Sequence, residues 1–129
     1  MIYVPDTHAL VWYVTADKRL GKRAKAALAS VDDGASQAIV SVLILAEIMY
    51  LQEHGRIQVN LKDLIARLQS NANYGVVPLD LDTVMTAEKV KQVPELFDRM
   101  ILATTIKHRA ALITRDSVFE NTDAVEIIW

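Results

Sequence analysis

Short apolar segments alternate along the chain with longer segments whose apolar residues recur every three or four positions. The short segments have the length of buried β-strands, and the longer ones have the periodicity of helices that bury one face. The predicted strands span residues 1–4, 37–41, 76–79, 111–114 and 125–128. The predicted helices span residues 8–15, 20–31, 42–54, 61–70, 83–91 and 94–108. This alternation predicts an α/β domain built on a parallel sheet.

Polar residues at the ends of the predicted helices support these boundaries. Ser41, Asn60 and Asp82 stand where an N-cap accepts a hydrogen bond from the first helical turn. Gly55 stands where the third helix is expected to end. The 129 residues contain no linker, repeat or low-complexity segment, so we expect one domain over residues 1–129.

Four of the 16 acidic residues interrupt apolar segments, whereas most of the others lie among polar neighbours. Asp6 ends the first predicted strand, Asp116 follows the fourth, and Glu47 and Asp98 lie inside apolar helical segments. Carboxylates are rarely buried without a partner. In an open parallel sheet, ligands bind in the crevice beyond the carboxyl ends of the strands. We therefore expect these four acids to meet there and to form a catalytic and metal-binding site.

Each acid alone also has a purely structural interpretation. Asp6 and Asp116 would cap the turns that follow them, and a salt bridge would explain Asp98. Arg99 is adjacent to Asp98, but neighbouring residues of a helix point apart. Glu47 is the hardest to explain in this way, because neither end of its helix is near.

A shared site of this kind requires a cation. Two carboxylates about 4 Å apart repel by roughly 4 kcal/mol at an effective dielectric constant of about 20. Oxygen ligands without cysteine favour a hard divalent ion, Mg²⁺ or Mn²⁺. Whether one or two ions bind stays open, and the three histidines show no spacing typical of zinc sites.

Composition excludes several other kinds of protein. A formal net charge of −2 gives no overall basic field for nucleic acid. The basic residues are clustered, however, and predict either a solvated helix face or a rim that contacts phosphates. They are Lys18, Arg19, Lys22, Arg23 and Lys25, with a second group of Lys107, Arg109 and Arg115.

The chain also has no cysteine, which excludes disulfides and fits a cytoplasmic protein. No signal peptide is visible. The longest uncharged run, residues 34–46, is shorter than the roughly 20 residues of a membrane span, so we expect no membrane association.

The order of these motifs resembles the PIN-domain family, and specifically its VapC-type toxin ribonucleases. The matching segments are Asp-Thr-His-Ala-Leu-Val-Trp at 6–12, Ser41 with Ala-Glu-Ile at 46–48, Phe-Asp-Arg at 97–99, and Leu-Ile-Thr-Arg-Asp at 112–116. Each segment is weakly specific alone. Their order and spacing extend over nearly the whole chain, which makes the resemblance specific.

The resemblance implies a three-layer α/β/α fold with a central, mostly parallel sheet of four or five strands. It implies a Mg²⁺- or Mn²⁺-dependent endoribonuclease that hydrolyses RNA phosphodiester bonds, with Asp6 and Asp98 as the usual direct ligands. Thr114 matches a small hydroxyl position near the fourth acid, with a role at the substrate. The family also implies a cognate antitoxin that occupies the active site, and a homodimer. Arg99 either steadies a substrate phosphate or pairs with an acid.

Two positions depart from the family pattern. Relatives often carry Asp-Pro before Phe-Asp-Arg, whereas this chain has Pro94 followed by Glu95 and Leu96. Pro5 stands where relatives commonly have an aliphatic residue, and it must end the strand because it has no N–H to donate.

Three other functions compete with a toxin ribonuclease. A receiver-type signalling domain would need an acidic pair after the first strand and a late lysine, and this sequence has neither. A PIN-like module that binds RNA or protein without cutting would not need all four acids. A housekeeping nuclease would share the chemistry, and the lack of an appended domain favours the toxin.

Overall fold

The computed structural model describes all 129 residues. Strands and helices alternate through most of the chain, as the hydrophobic pattern predicts. The strands are β1 Ile2–Pro5, β2 Gln37–Ser41, β3 Tyr74–Val77, β4 Ala111–Ile113 and β5 Ile127–Ile128. The helices are α1 Thr7–Val14, α2 Lys22–Asp32, α3 Val42–Glu53, α4 Leu61–Gln69, α5 Leu81–Glu88 and α6 Leu96–Lys107, with a short 3₁₀ turn at Ser117–Phe119.

All five strands pair in parallel in the order β3-β2-β1-β4-β5, which confirms the predicted parallel sheet. β2 pairs with one edge of β1, and β4 pairs with the other edge. Pro5, the last residue of β1, is in register with Ile113, the last residue of β4. The two carboxyl ends therefore open side by side at the point where the strand order reverses, which is the usual ligand site of such sheets.

Helices cover both faces of the sheet, as the predicted three-layer α/β/α fold requires. Val4 and Leu112 belong to one cluster of 17 buried apolar residues, which α3, α4 and α6 help to fill. On the other face, Ala111 and Ile113 pack with Leu28 of α2 in a cluster of seven. Because neighbouring residues of a strand point to opposite faces, β4 holds both layers together.

Two predicted caps are confirmed and one is wrong. The Ser41 hydroxyl accepts from the Leu43 N–H, and the Asn60 side chain accepts from the Asp63 N–H. Asp80, not Asp82, caps α5, and its carboxylate accepts from the Thr83 N–H at 2.9 Å. Asp82 lies inside the first turn of that helix. Aspartate is a common N-cap, so residue type alone does not show whether Asp80 or Asp82 caps the helix. Only the position of the preceding strand does.

The third strand lies two residues earlier than the sequence predicts. It spans Tyr74–Val77 and ends immediately before Pro78. A proline cannot donate to the ladder, so the pairing with β2 stops there. None of the helices is both long enough and apolar enough to cross a membrane.

Candidate active site

Asp6 lies between β1 and α1 and has a role in both. One carboxylate oxygen accepts from the Ala9 N–H at 2.8 Å and so caps α1. The other oxygen accepts from the Thr114 hydroxyl at 2.5 Å. Burial raises the pKa of the Asp6 carboxyl, although these two hydrogen bonds act in the opposite direction. Asp6 can therefore cap α1 and still act at the predicted site, because the cap occupies only one of its two carboxylate oxygens.

Thr114 follows β4 and links the first and fourth acids. Its hydroxyl donates to Asp6 and accepts from the backbone N–H of Asp116 at 3.1 Å. Only 1% of Thr114 is exposed, so it has almost no surface to offer a substrate. Its two hydrogen bonds fix the positions of Asp6 and of the turn that carries Asp116.

Asp116 is exposed, and its carboxylate accepts from the Val118 N–H at 3.0 Å. This bond caps the short 3₁₀ turn that begins at Ser117. As with Asp6, the turn-capping interpretation is correct, and the cap occupies only one of the two carboxylate oxygens.

Glu47 lies in the middle of α3, where its sequence position gave no structural explanation. The Thr7 hydroxyl donates to Oε2 of Glu47 at 2.9 Å, across the gap between α1 and α3. Thr7 is buried and Glu47 is half-buried. Thr7 thus aims the Glu47 side chain from the residue next to Asp6. A hydroxyl beside the first acid was a signal in the sequence that the prediction did not use.

Asp98 lies in the first turn of α6 and takes part in no ion pair. Desolvation raises the pKa of its carboxyl to about 6, and the charges of four other carboxylates add to the rise. In decreasing order of effect these are Glu95, Asp116, Glu47 and Asp6. The fold therefore brings the other three predicted acids, Asp6, Glu47 and Asp116, within range of the charge of Asp98.

Glu95 is a fifth acid at this site, and the sequence prediction did not include it. Its carboxylate accepts from the Asp98 N–H at 2.8 Å and caps α6. Its position three residues before Asp98 is the usual spacing of such a cap, so the sequence alone offered no reason to assign it more.

No three acidic or histidine side chains lie close enough together to hold a metal ion as they stand. Electrostatic coupling acts over longer distances than a coordination bond, so this finding agrees with the raised pKa of Asp98. The donor chemistry fits a hard divalent cation, because every candidate ligand is a carboxylate oxygen. A cation would also relieve the repulsion that raises this pKa.

Arg99 does not form the ion pair that was one of its two predicted roles. Its Nε donates to the backbone carbonyl of Val93 at 2.8 Å, and it joins no ion pair with an acid. The expected ion pair with an acid is therefore absent. This half-buried side chain fastens the loop before α6 and so helps to fix the position of Asp98.

Two open depressions flank the acids. One, of about 480 Å³, includes Asp6 and Asp116 together with His8, Trp12, Arg19, Arg115 and Ser117. The other, of about 540 Å³, runs between α3 and α6 and includes Glu47 and Glu95. Its remaining walls are mainly apolar: Ala46, Met49, Tyr50, Leu51, Arg56 and Phe97. The site thus opens to a polar cleft on one side and to an apolar groove on the other.

Comparison with solved structures shows the same fold in proteins of low sequence identity. The chain is 20% identical to a chain of a toxin–antitoxin complex from Klebsiella pneumoniae, with a TM-score of 0.64 and coverage of 95% of this chain and 94% of that one. For VapBC2 from Rickettsia felis the identity is 13%, the TM-score 0.70 and the coverage 98% and 97%. For VapBC from Salmonella typhimurium the identity is 15% and the TM-score 0.69, with coverage of 98% of this chain and 96% of that one. Comparison with curated proteins gives no match.

A family model gives the assignment that these distant structural likenesses alone do not. The model of the PIN domain matches residues 3–125. This range contains all of β1 except Ile2, the whole of β4 and every acid that couples to Asp98. Since the match extends over nearly the whole chain, the protein belongs to the PIN domain family.

Proposed function

We propose that this protein is a metal-dependent endoribonuclease and the VapC-type toxin of a toxin–antitoxin pair, formed as one domain over residues 1–129. The observation that carries the proposal is that Asp6, Glu47 and Asp116 all lie near enough to Asp98 for their charges to raise its pKa, beside the paired ends of β1 and β4. Membership of the PIN domain family supports nuclease chemistry at this site. RNA is the substrate and the cytoplasm is the proposed compartment.

Asp6, Glu47, Asp98 and Asp116 would hold Mg²⁺ or Mn²⁺. Such an ion supplies Lewis-acid polarisation of a phosphate oxygen and makes water more acidic at neutral pH. Thr114 orients Asp6, and Thr7 occupies one oxygen of Glu47, leaving Oε1 free to bind the ion or to orient the attacking water. The raised pKa of Asp98 keeps its carboxyl partly protonated near neutral pH until a cation offsets the neighbouring charges.

A cognate antitoxin fits the apolar groove between α3 and α6. The similar solved structures are toxin–antitoxin complexes. Met49, Tyr50 and Phe97 of the groove are exposed apolar side chains, and Glu47 and Glu95 lie at its acidic side. An amphipathic segment with one basic side chain would bury the first group and neutralise the second. Its binding would also cover the acids and block RNA.

A homodimer is the second proposed assembly. Leu81, Val84 and Met85 are exposed on α5, at 73%, 44% and 56%. Their spacing of three and four residues places them on one face of the helix. Replacement of Met85 by glutamate should convert a dimer into a monomer in light scattering. A wild-type monomer at tens of micromolar would contradict the dimer and leave the nuclease untouched.

The nuclease is tested with purified protein and a mixed set of structured and single-stranded RNAs, with Mg²⁺, Mn²⁺ or EDTA. We expect cleavage with either metal and none with the chelator. A set of RNAs is required because a sequence-specific ribonuclease leaves most RNAs uncut, and the variant Asp98→Asn controls for contaminating ribonuclease. Equal cleavage with and without EDTA would contradict the metal-dependent mechanism.

A further inference from the structure

The polar cleft beside Asp6 and Asp116 combines opposite charges in its lining. Arg19 and Arg115 line it together with the two acids. Both guanidinium groups lie over the indole of Trp12, with Cζ of Arg19 at 4.6 Å and Cζ of Arg115 at 4.5 Å from the ring centroid. Trp12 is only 5% exposed, so it provides a fixed support for two otherwise flexible side chains.

The two arginines differ in how their charge is used. Asp17 binds Arg19 through two hydrogen bonds, from Nε at 3.0 Å and from Nη2 at 2.8 Å, and so neutralises it. Arg115 is exposed and joins none of the five ion pairs, although Asp116 is its neighbour in sequence. Arg115 is therefore held in place by Trp12 while its hydrogen-bond donors remain free for a ligand.

We propose that Arg115 is a phosphate-binding residue that holds the RNA strand next to the bond being cut. This inference rests on the proposed ribonuclease function. It also predicts the path of the RNA strand, which would run from the acids, past Arg115 and over the Trp12 side of the cleft. A planar guanidinium pairs with a phosphate through two parallel hydrogen bonds, which a lysine cannot reproduce. Arg19, already neutralised by Asp17, steadies the indole and adds little to binding.

The cleft's own composition explains why this contact is needed. An acidic centre repels the phosphate backbone, so a cation fixed a short distance away must hold the strand while the carboxylates hold the metal ion. Arg115 immediately precedes Asp116 and follows the same strand, so the turn after β4 places both charges. The cation and the acid are thereby fixed relative to each other.

The test compares two arginines that bracket β4. Arg115 follows the strand at the site, and Arg109 precedes it at the opposite end of the sheet; both are exposed. Arg115→Gln and Arg109→Gln make the same change in charge and composition. Each is made in the Asp98→Asn background, and binding of a fluorescent single-stranded RNA 12-mer of mixed sequence is measured by anisotropy in EDTA at several salt concentrations.

We expect Arg115→Gln to weaken binding about tenfold, as for loss of one hydrogen bond to a charged group, and Arg109→Gln to have little effect. The slope of log affinity against log salt should fall by about 0.7, the value for one lost phosphate contact on a single strand. Arg115→Lys should recover the salt slope and only part of the affinity. Thermal melting of all variants separates lost binding from lost folding.

Three results would overturn the proposal. If Arg115→Gln and Arg109→Gln bind alike while the otherwise wild-type protein cuts RNA, the subsite is wrong and the nuclease stands. If the Asp98→Asn parent binds no RNA, the subsite is also overturned, and cleavage by the wild-type protein then decides separately on the proposed function. A drop in melting temperature confined to Arg115→Gln, without a change in salt slope, would show that Arg115 only covers Trp12.

Discussion

The Thr114 hydroxyl donates to the Asp6 carboxylate at 2.5 Å, although the two residues are 108 positions apart in sequence. The bond joins the carboxyl ends of β1 and β4, the neighbouring strands between which the site opens. The same hydroxyl accepts from the Asp116 N–H, so one buried oxygen fixes parts of two predicted ligands. The positions of Asp6 and of the Asp116 backbone therefore both depend on this one hydroxyl.

Replacing Thr114 by valine keeps the shape of the side chain and removes both hydrogen bonds. Asp6 then loses a bond that lowers its pKa, so the carboxyl should hold its proton more tightly and bind a cation less well. We expect the midpoint of Mn²⁺ activation to rise and cleavage to fall about 10–100-fold, which corresponds to roughly 1.4–2.7 kcal/mol. RNA cleavage over a Mn²⁺ titration measures both changes.

Thr114→Ser is the matched control, since it retains the hydroxyl and removes only a methyl group. It should recover most of the activity while losing some stability from the buried methyl group. A valine variant with wild-type Mn²⁺ dependence would show that Thr114 is needed only for packing.

Thr7→Val should impair the site through Glu47 instead. The hydroxyl that donates to Glu47 is lost, so this side chain is free to leave its position between α1 and α3. We expect cleavage to fall about tenfold, with a smaller change in the Mn²⁺ midpoint than for Thr114→Val. Thr105→Val controls for the substitution, because the Thr105 hydroxyl donates only to the Ile101 carbonyl of its own helix. Equal losses in both variants would contradict a role for Thr7 at the site.

The four acids could be singled out from the sequence because each one breaks an apolar pattern. Asp6 and Asp116 follow strands, and a parallel sheet brings such positions together whatever the intervening chain does. Glu47 inside an apolar helical segment and Asp98 in a later one were visible for the same reason. The order of the strands and their relative register, by contrast, came from packing between distant residues, which no local pattern encodes.

The residues that the sequence did not reveal are those whose local role is ordinary. Glu95 caps a helix and Thr7 begins one, and both occupations are common for these residue types. Their second role depends on a neighbour 40 positions away for Thr7 and on crowding around Asp98 for Glu95. The supporting partners of a site are therefore harder to predict than its charges.

The stability of the metal-free protein should depend on pH through Asp98. Its pKa is about 6 when folded against 3.8 for the unperturbed group, so the folded state binds more protons between these values. Stability from this source is therefore present at low pH and is lost as pH rises through about 6. Full conversion of the shift gives about 3 kcal/mol, which solvent screening of a half-buried group reduces to about 1–2 kcal/mol.

His108 acts in the opposite direction in the same pH range, because desolvation lowers its pKa. The measured quantity is therefore the difference in free energy of unfolding between the wild-type and Asp98→Asn proteins, in which the His108 effect cancels. Urea unfolding in EDTA from pH 4.5 to 8 gives this difference. Asp98→Asn should be the more stable protein at pH 8, and the difference should shrink steadily as pH falls from about 6 to 4.5. A difference that does not change with pH would contradict the raised pKa.

Asp98→Asn should separate a ligand from a structural acid at neutral pH. The change removes one negative charge from a group of carboxylates and breaks no ion pair, so the metal-free protein should gain about 1–3 kcal/mol. Stabilisation by Mn²⁺ should shrink because the dissociation constant rises, and RNA cleavage should fall at least about 100-fold.

Asp82→Asn, also in the first turn of a helix, is the control: it measures the loss of favourable charge at a helix start, a few tenths of a kcal/mol. Thermal melting in EDTA and in Mn²⁺, beside a cleavage assay, gives all three quantities. A variant that melts lower in EDTA, gains as much from Mn²⁺ as the wild type and still cuts RNA would remove Asp98 from the site.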